Sequence, residues 1–479
     1  MLLWFVIAYL VVSIAIGLAA ATQVHNARDY ITAGRHLPLY VVFATVFATW
    51  FGAETVLGIS ATFVKEGMGG LISDPFGASL CLILFGLFFA RPLYRMNLLT
   101  IGDYYRQRYN RSVELATSIC IALSYLGWVS AQVTALGLVF NVLSQDAISP
   151  AWGMVIGASV VLVYTLFGGM WSVAVTTFVQ MIVIVLGLLY IAWLVSDMAG
   201  GTSTVISHAA ANNKFDFLPR FSWTEVVAFT AALITMGFGS IPQQDVFQRM
   251  NASKNEHTAV WGSVLGGSAY FLFAFVPLFL VYAAMLIDPK MVAGLIESDS
   301  QRILPSLILN HMPLPAQIVF FGALLSVIMS TASGTLLAPS VTISENVLKG
   351  LLGRMSDHGF LWLNRAVVTV FAILVTVYAI YSDESIHGMV ENAYKVTLVA
   401  AFVPLAAGLY WKQATTQGAA CAIVGGLASW IALELVGSED LWPPQFIGFL
   451  FSVAGMLAGS LLPQRYGAPS RQHYPDAAN

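Results

Sequence analysis

Small hydroxyl residues sit deep inside an apolar stretch: Ser326, Ser330, Thr331 and Ser333 all fall between residues 316 and 345. Hydroxyl oxygens suit a hard cation, which takes oxygen ligands. Ser330 and Thr331 are neighbours, so on a helix they span an arc of about 100°. An ion at the edge of that arc reaches both. Its remaining ligands must be backbone carbonyls freed by a broken helix. Two such breaks are written in the chain: Ala48-Thr49-Trp50-Phe51-Gly52-Ala53-Glu54, and Gly237-Phe238-Gly239-Ser240-Ile241-Pro242-Gln243-Gln244. Gly and Pro interrupt helical hydrogen bonding, and inside a bilayer the freed groups must face protein or a wet cavity. The commonplace alternative is that Ser and Thr tie helices together or bond back one turn.

Ionisable residues at membrane depth cost several kcal/mol (~3 on the lower scales) and need an account. Glu54 and Asp74 lie near the first break and in the neighbouring run. Asp245 and Arg249 are spaced to pair at i,i+4, as are Glu391 and Lys395. Glu434 is expected to reach the headgroup region. Of the twelve tryptophans, most belong to packing or interfacial belts. Trp50, inside the first break, and Trp128, in the middle of a run, are candidates for contact with a cationic ligand, since Trp is the best cation–π partner.

The elements that must hold these residues are membrane helices. Of 479 residues, 45 are charged (9%), against the usual ~25%, and 58% are hydrophobic. A soluble protein of that composition would expose large apolar patches. The net charge of −3 says nothing about a nucleic-acid partner, and no basic block is long enough to track phosphates, so no such partner is expected. The cysteines, Cys81, Cys120 and Cys421, have no metal spacing and read as small core residues. A crossing needs about 20 apolar residues. Thirteen runs qualify: roughly 2–22, 39–64, 70–90, 113–143, 151–168, 172–196, 223–246, 259–287, 316–345, 361–381, 387–411, 415–436 and 445–463. The first lacks a charged n-region and a cleavage site, so it is expected to be retained.

Lys and Arg set the orientation. Alternation from the loop carrying Arg91, Arg95, Arg106, Arg108 and Arg111 puts fifteen basic residues on one side and five on the other, with Lys395 inside a run. The richer side is cytoplasmic, the N-terminus is outside, and the polar tail at 464–479 is inside. The five outer residues are Lys65, Lys214, Arg220, Lys290 and Arg302. Arg354, Arg465 and Arg471 count among the inner ones. Asp383, Glu384, Glu439 and Asp440 are expected in outer loops. Each break opens a group of five runs, 39–196 and 223–411. An odd number per group inverts the second copy, and paired interruptions point to a transporter site at the midplane.

At these residues the chain resembles the sodium:solute symporter family, over about 28–430. The markers are Asp29-Tyr30-Ile31-Thr32-Ala33-Gly34-Arg35, Thr100-Ile101-Gly102-Asp103-Tyr104, Tyr164-Thr165-Leu166-Phe167-Gly168-Gly169-Met170, Phe247-Gln248-Arg249 and Met329-Ser330-Thr331. Its choline-transporting and proline-transporting branches are nearest. The resemblance implies an all-α polytopic membrane protein of LeuT-type fold, with 13 transmembrane helices, a 5+5 inverted repeat, sodium coupling and alternating access. Residues 1–38 would add a helix and a cytoplasmic loop, and 412–463 two C-terminal helices. It places sodium at the carbonyls of Ala48, Phe51 and Val327 and the hydroxyls of Ser330 and Thr331. Trp50 and Trp128 match two tryptophans of an ammonium cage, whose third position falls on Gln243 and whose neighbouring aromatic position falls on Ala78. Thr55 and Asp74 complete the candidate substrate contacts. Family members commonly have Thr-Asp where this chain has Thr176-Thr177, which favours a single sodium or altered coupling and leaves proton coupling open.

The function expected is import of a small organic solute, a choline-like quaternary amine or an amino acid such as proline, across the inner (plasma) membrane. A symporter for a carboxylate or sugar is the alternative within the class. A sensor is a rival of another class, and with about 16 residues after the last run it would need a separate signalling partner. An intramembrane enzyme is not expected, because the eight histidines fall almost entirely in loops. Sodium, the substrate and the lipid bilayer are the expected partners. Oligomeric state is not written in the sequence.

Overall fold

In the computed structural model the described residues are 2–219, 221–353, 355–437 and 442–466. Arg220, Arg354, Glu439, Asp440, Arg471 and His473 lie outside them. The described chain is helical. It has no strand, only one isolated bridge, Leu37 with Ser253. Ten helical stretches are long and apolar enough to cross a membrane, or eleven if the pair Trp223–Gly239 and Gln244–Asn251, bent by 44°, is one span.

The main helices are α1 (Leu2–Ala21), α2 (Leu39–Trp50), α3 (Ile59–Glu66), α4 (Arg111–Leu143), α5 (Pro150–Met198), α6 (Trp223–Gly239), α7 (Gln244–Asn251), α8 (Glu256–Phe273), α9 (Phe275–Ile287), α10 (Leu314–Thr342), α11 (Asp357–Tyr381), α12 (Ile386–Thr397), α13 (Val403–Tyr410), α14 (Thr416–Val436) and α15 (Pro444–Leu461). Polar caps start many of them, satisfying backbone N–H groups that a helix end leaves open. Asn110 accepts from the Val113 N–H, Asn255 from Thr258 and Ser385 from Gly388.

Straight, the 49 residues of α5 would run to about 74 Å, more than twice the ~30 Å hydrocarbon core. Gly169 interrupts them with φ 48° and ψ −135°. A side chain there is excluded twice over. The positive φ disfavours one, and a Cβ would stand 2.3 Å from the Tyr30 carbonyl. The two runs read at 151–168 and 172–196 are thus one helical stretch with a corner at Gly169. The run at 70–90 departs from expectation. It is not one smooth helix, because Asp74 has extended backbone (φ −138°, ψ 124°) just before Pro75, which cannot donate an N–H.

The first break shows why the hydroxyls are where they are. Helical bonding in α2 ends with the Phe51 N–H donating to the Phe47 carbonyl at 2.9 Å. In an unbroken helix the Ala48 and Thr49 carbonyls would accept from Gly52 and Ala53. Instead the Ala53 N–H donates to Gln132 of α4 at 3.0 Å. The freed carbonyls accept from α10: Ser330 donates to Ala48 at 2.7 Å and Thr331 to Thr49 at 2.8 Å. Side chains from two neighbours thus replace the lost helical bonds, as a membrane interior requires. At the second break Pro242 cannot continue the ladder, and the Gln243 N–H turns back to the Ser240 carbonyl at 3.1 Å. Gly239 brings α12 close, since a Cβ there would lie 2.6 Å from the Tyr394 carbonyl.

Basic residues expected on the two sides are held in separate groups. At one end Arg91 and Arg95 bind Glu256 at 2.7 and 2.8 Å. Arg28 and Arg35 both reach Asn97, and Arg108 reaches the Ala414 carbonyl at 2.9 Å. At the other end Lys214 donates to the Val64 carbonyl at 2.7 Å, and Arg302 lies 3.4 Å from Asp146. Outward-facing helices carry apolar side chains into their surroundings, as Val370, Ile373 and Leu374 of α11 do. Cys81 and Cys120 are buried, but Cys421 is exposed on α14 and is no core residue.

Candidate functional site

The hydroxyl cluster of α10 meets the end of α2. Ser330 Oγ lies 2.7 Å from the Ala48 carbonyl and 2.9 Å from the Val327 carbonyl. Thr331 Oγ1 lies 3.4 Å from Ala48 O and 2.8 Å from Thr49 O. Four of the five expected ligand residues are therefore in direct contact, and all are buried. Phe51 stands at the break itself (ψ 72°). The Thr55 N–H passes over the Phe51 carbonyl and binds Gly52 at 3.1 Å. Thr49 is an oxygen that the sequence reading did not single out. Its neighbour in the break, Trp50, drew attention instead. Each hydroxyl now donates to a carbonyl. Turning its proton away presents lone pairs from both sides, the oxygen-only set that a small hard cation takes.

Beside this cluster the aromatic residues gather. Trp50 and Trp128 meet edge to face at 5.4 Å between centroids. Tyr394 of α12 stacks on Trp50 at 6.1 Å and tilts against Trp128 at 5.6 Å. The sequence reading missed Tyr394, whose only signal was its position one turn inward from Glu391. Tyr125 stacks on Trp128 at 5.9 Å. The Trp128 indole N–H donates to Glu54 at 3.1 Å, and Gln132 donates to the other Glu54 oxygen at 2.7 Å. Gln243 lies at the second break, donating to Ser124 at 2.9 Å and Thr397 at 3.3 Å. Thr55 and Asp74 join through Tyr270: Thr55 Oγ1 is 3.1 Å from the phenol oxygen, and the phenol donates to Asp74. Trp50 Nε1, Asp74 Oδ2 and Tyr394 Oη are buried with no hydrogen-bond partner. A polar cavity of about 340 Å³, lined in part by Gly58, Thr62, Glu66, His387 and Glu391, lies toward the end away from the arginine-rich loops.

Other charges differ in part from expectation. Asp245 and Arg249 do pair, at 3.6 Å, both buried. Arg249 also donates to Thr49 Oγ1 at 2.7 Å, and Tyr125 donates to Asp245. Glu391 and Lys395 do not pair. Glu391 lies 3.8 Å from His387, and Lys395 reaches across to Glu434 of α14 at 3.7 Å. Helical spacing allowed the first pairing; packing brought Lys395 a partner from another helix. Glu434 is also held by Trp430 at 2.9 Å and stays partly exposed. Thr177, whose pair with Thr176 departs from the Thr-Asp that the resemblance implies, is buried with its hydroxyl unpartnered.

The sodium:solute symporter family model matches residues 30–426. The chain belongs to this family. Human high affinity choline transporter 1 is 28% identical over 466 residues, covering 91% of this chain and 76% of that one. The sodium/proline symporter of Escherichia coli (strain K12) is 25% identical over 501 residues, covering 98% and 94%. A sodium-coupled sialic acid symporter, solved outward-open with substrate bound, superposes with a TM-score of 0.82 at 20% identity, covering 98% of each chain. Mhp1, a nucleobase-cation-symport-1 family transporter, gives 0.60 at 14% identity, covering 90% and 94%. The family is one of transporters, so the chain is a symporter by family and not an enzyme, and its fold is of the LeuT type.

Proposed function

We propose that the chain imports a small organic amine or amino-acid-like zwitterion, driven by one sodium ion bound between α2 and α10. The observation that carries this reading is the join at the first break. There Ser330 and Thr331 reach the carbonyls of Ala48 and Thr49, on the same short segment that holds Trp50 against Trp128 and Tyr394. Phe51 and Val327 supply the further carbonyls. Sodium occupancy steadies the end of α2, and the end of α2 carries Trp50. Ion and ligand then share a coupling free energy, and each must tighten the other. Trp50, Trp128, Thr55, Asp74 and Gln243 form the substrate contacts, with Tyr394 added as a third ring. The choline and proline transporters among the relatives support an amine or imino acid.

The same reading divides the chain into an extra helix with its loop (1–38), two inverted five-helix repeats (39–196 and 223–411), two C-terminal helices (412–463) and a tail (464–479). It takes thirteen crossings by dividing α5 at Gly169 and the long stretch Glu54–Arg95 near Asp74. The N-terminus lies outside the plasma membrane and the arginine-rich end in the cytoplasm. Uptake into proteoliposomes of labelled amines, amino acids, sugars and carboxylates, with and without an inward sodium gradient, tests it. Accumulation of an amine or zwitterion only with the gradient is the expected result. Gradient-independent uptake, or a sugar or dicarboxylate as best substrate, contradicts it.

A further inference from the structure

The buried carboxylates near the first break are not matched by buried cations. Asp245 has Arg249 beside it. Among the described residues, neither Glu54 nor Asp74 has a Lys, Arg or His within 4 Å. Their exposures are 2% and 1%. A buried carboxylate is tolerated when its oxygens are hydrogen-bonded or its charge is met.

The two carboxylates solve this differently. Both oxygens of Glu54 accept, from Trp128 and Gln132. Glu54 is a positioning residue, fixing the edge of one tryptophan and, through Gln132, the Ala53 N–H at the break. Asp74 is only half satisfied. One oxygen accepts from the Tyr270 phenol, and Oδ2 has no partner. Tyr270 also contacts Thr55, whose hydroxyl is 3.3 Å from the Trp50 carbonyl. Carboxylate, phenol, hydroxyl and carbonyl oxygens therefore form one chain leading from Asp74 to the tryptophan in the break.

A fully methylated ammonium offers only C–H groups to its surroundings. It is satisfied by aromatic faces and leaves a waiting carboxylate oxygen unfilled. A protonated primary, secondary or tertiary amine has an N–H, which makes a short charge-assisted bond to such an oxygen. A site built to bond an N–H rejects the analogue that lacks one, because its own polar group is then stranded. We propose that Asp74, oriented by Tyr270 and Thr55, is the counter-charge for a protonated amine substrate that keeps at least one N–H, while Trp50 and Trp128 hold its carbon face. This rests on the amine reading of the same site and narrows it against quaternary ammonium.

The test is sodium-dependent binding to the purified full-length protein of two methylation series. One runs from ethanolamine through N-methyl- and N,N-dimethylethanolamine to choline. The other compares proline with N,N-dimethylproline. In the series that binds, members with an N–H should bind about tenfold tighter than the fully methylated member. Asp74→Asn should shrink that ratio below about threefold, chiefly by weakening the N–H members. Tyr270→Phe, which keeps the ring and the carboxylate but loses the orienting hydroxyl, should shrink it in part. A fully methylated member that binds wild type as tightly as its N–H analogues overturns the inference and leaves the amine reading standing. The wild-type series decides this even if Asp74→Asn fails to fold. If neither series binds and a neutral sugar or dicarboxylate does, both readings fall.

Discussion

Ser330 and Thr331 each contribute one oxygen, yet each also closes a carbonyl that the broken helix leaves open. Losing either should therefore weaken sodium and loosen α2 together. Thr331→Ala and Ser330→Ala are each expected to raise the sodium concentration for half-maximal uptake, by about tenfold for every ~1.4 kcal/mol lost. A double variant that folds and keeps wild-type sodium dependence removes this site assignment. At Trp50 the expectation is graded. The face of the indole is worth ~0.5–2 kcal/mol to a cation, so Trp50→Ala should cost between a few-fold and about thirtyfold in substrate affinity, with Trp50→Phe in between. Equilibrium binding at saturating sodium measures this, and an unchanged Trp50→Ala dissociation constant would falsify the aromatic contact. The residue types here were readable from the chain. Gly, Pro and hydroxyls within apolar runs are costly or unusual enough to stand out. Tyr394, Tyr270 and Gln132 were not, because a tyrosine or glutamine in a long helix looks like any other until a neighbour is packed against it.

The broken helices work as elements because others are shaped to receive them. Close approach of α12 to α6 depends on Gly239, where a Cβ would press on the Tyr394 carbonyl at 2.6 Å. Gly239→Val should force these helices apart, at a cost of about 1–3 kcal/mol by overpacking. The expected readout is a lowered Tm with substrate affinity reduced as well, since Tyr394 is displaced from Trp50. A variant with normal Tm and normal binding would show that the approach does not matter. Helix α5 carries a second expectation. The Thr176-Thr177 pair offers hydroxyls and no carboxylate for another ion. Sodium-dependent uptake should then follow a Hill coefficient near one. A clearly sigmoidal dependence, together with two charges moved per zwitterion, would contradict it. The helices themselves were largely visible as apolar runs. The extended backbone at Asp74 was not anticipated, although Asp-Pro is a turn signal, because the surrounding run is apolar enough to read as one span.

At the scale of the whole molecule, the charge asymmetry expected between the two sides yields a topological test. With the native cysteines replaced, a cysteine introduced at Lys290 should react with a membrane-impermeant maleimide added outside intact cells, whereas one at Arg106 should react only after permeabilisation. The reverse pattern would invert the proposed orientation. Sequence alone determined the all-helical class, the apolar runs and the paired breaks. These follow from the bilayer, which imposes length, hydropathy and internal hydrogen bonding on each segment separately. Tertiary structure decided which side chains close each break. It put Gln132 on Ala53, Thr331 on Thr49, and Tyr270 between Thr55 and Asp74. It also gave Lys395 to Glu434 in place of Glu391. Local spacing permits several partners for a polar group. Which one it takes depends on which distant helix is packed within about 3 Å, the reach of a hydrogen bond, and no single segment carries that information.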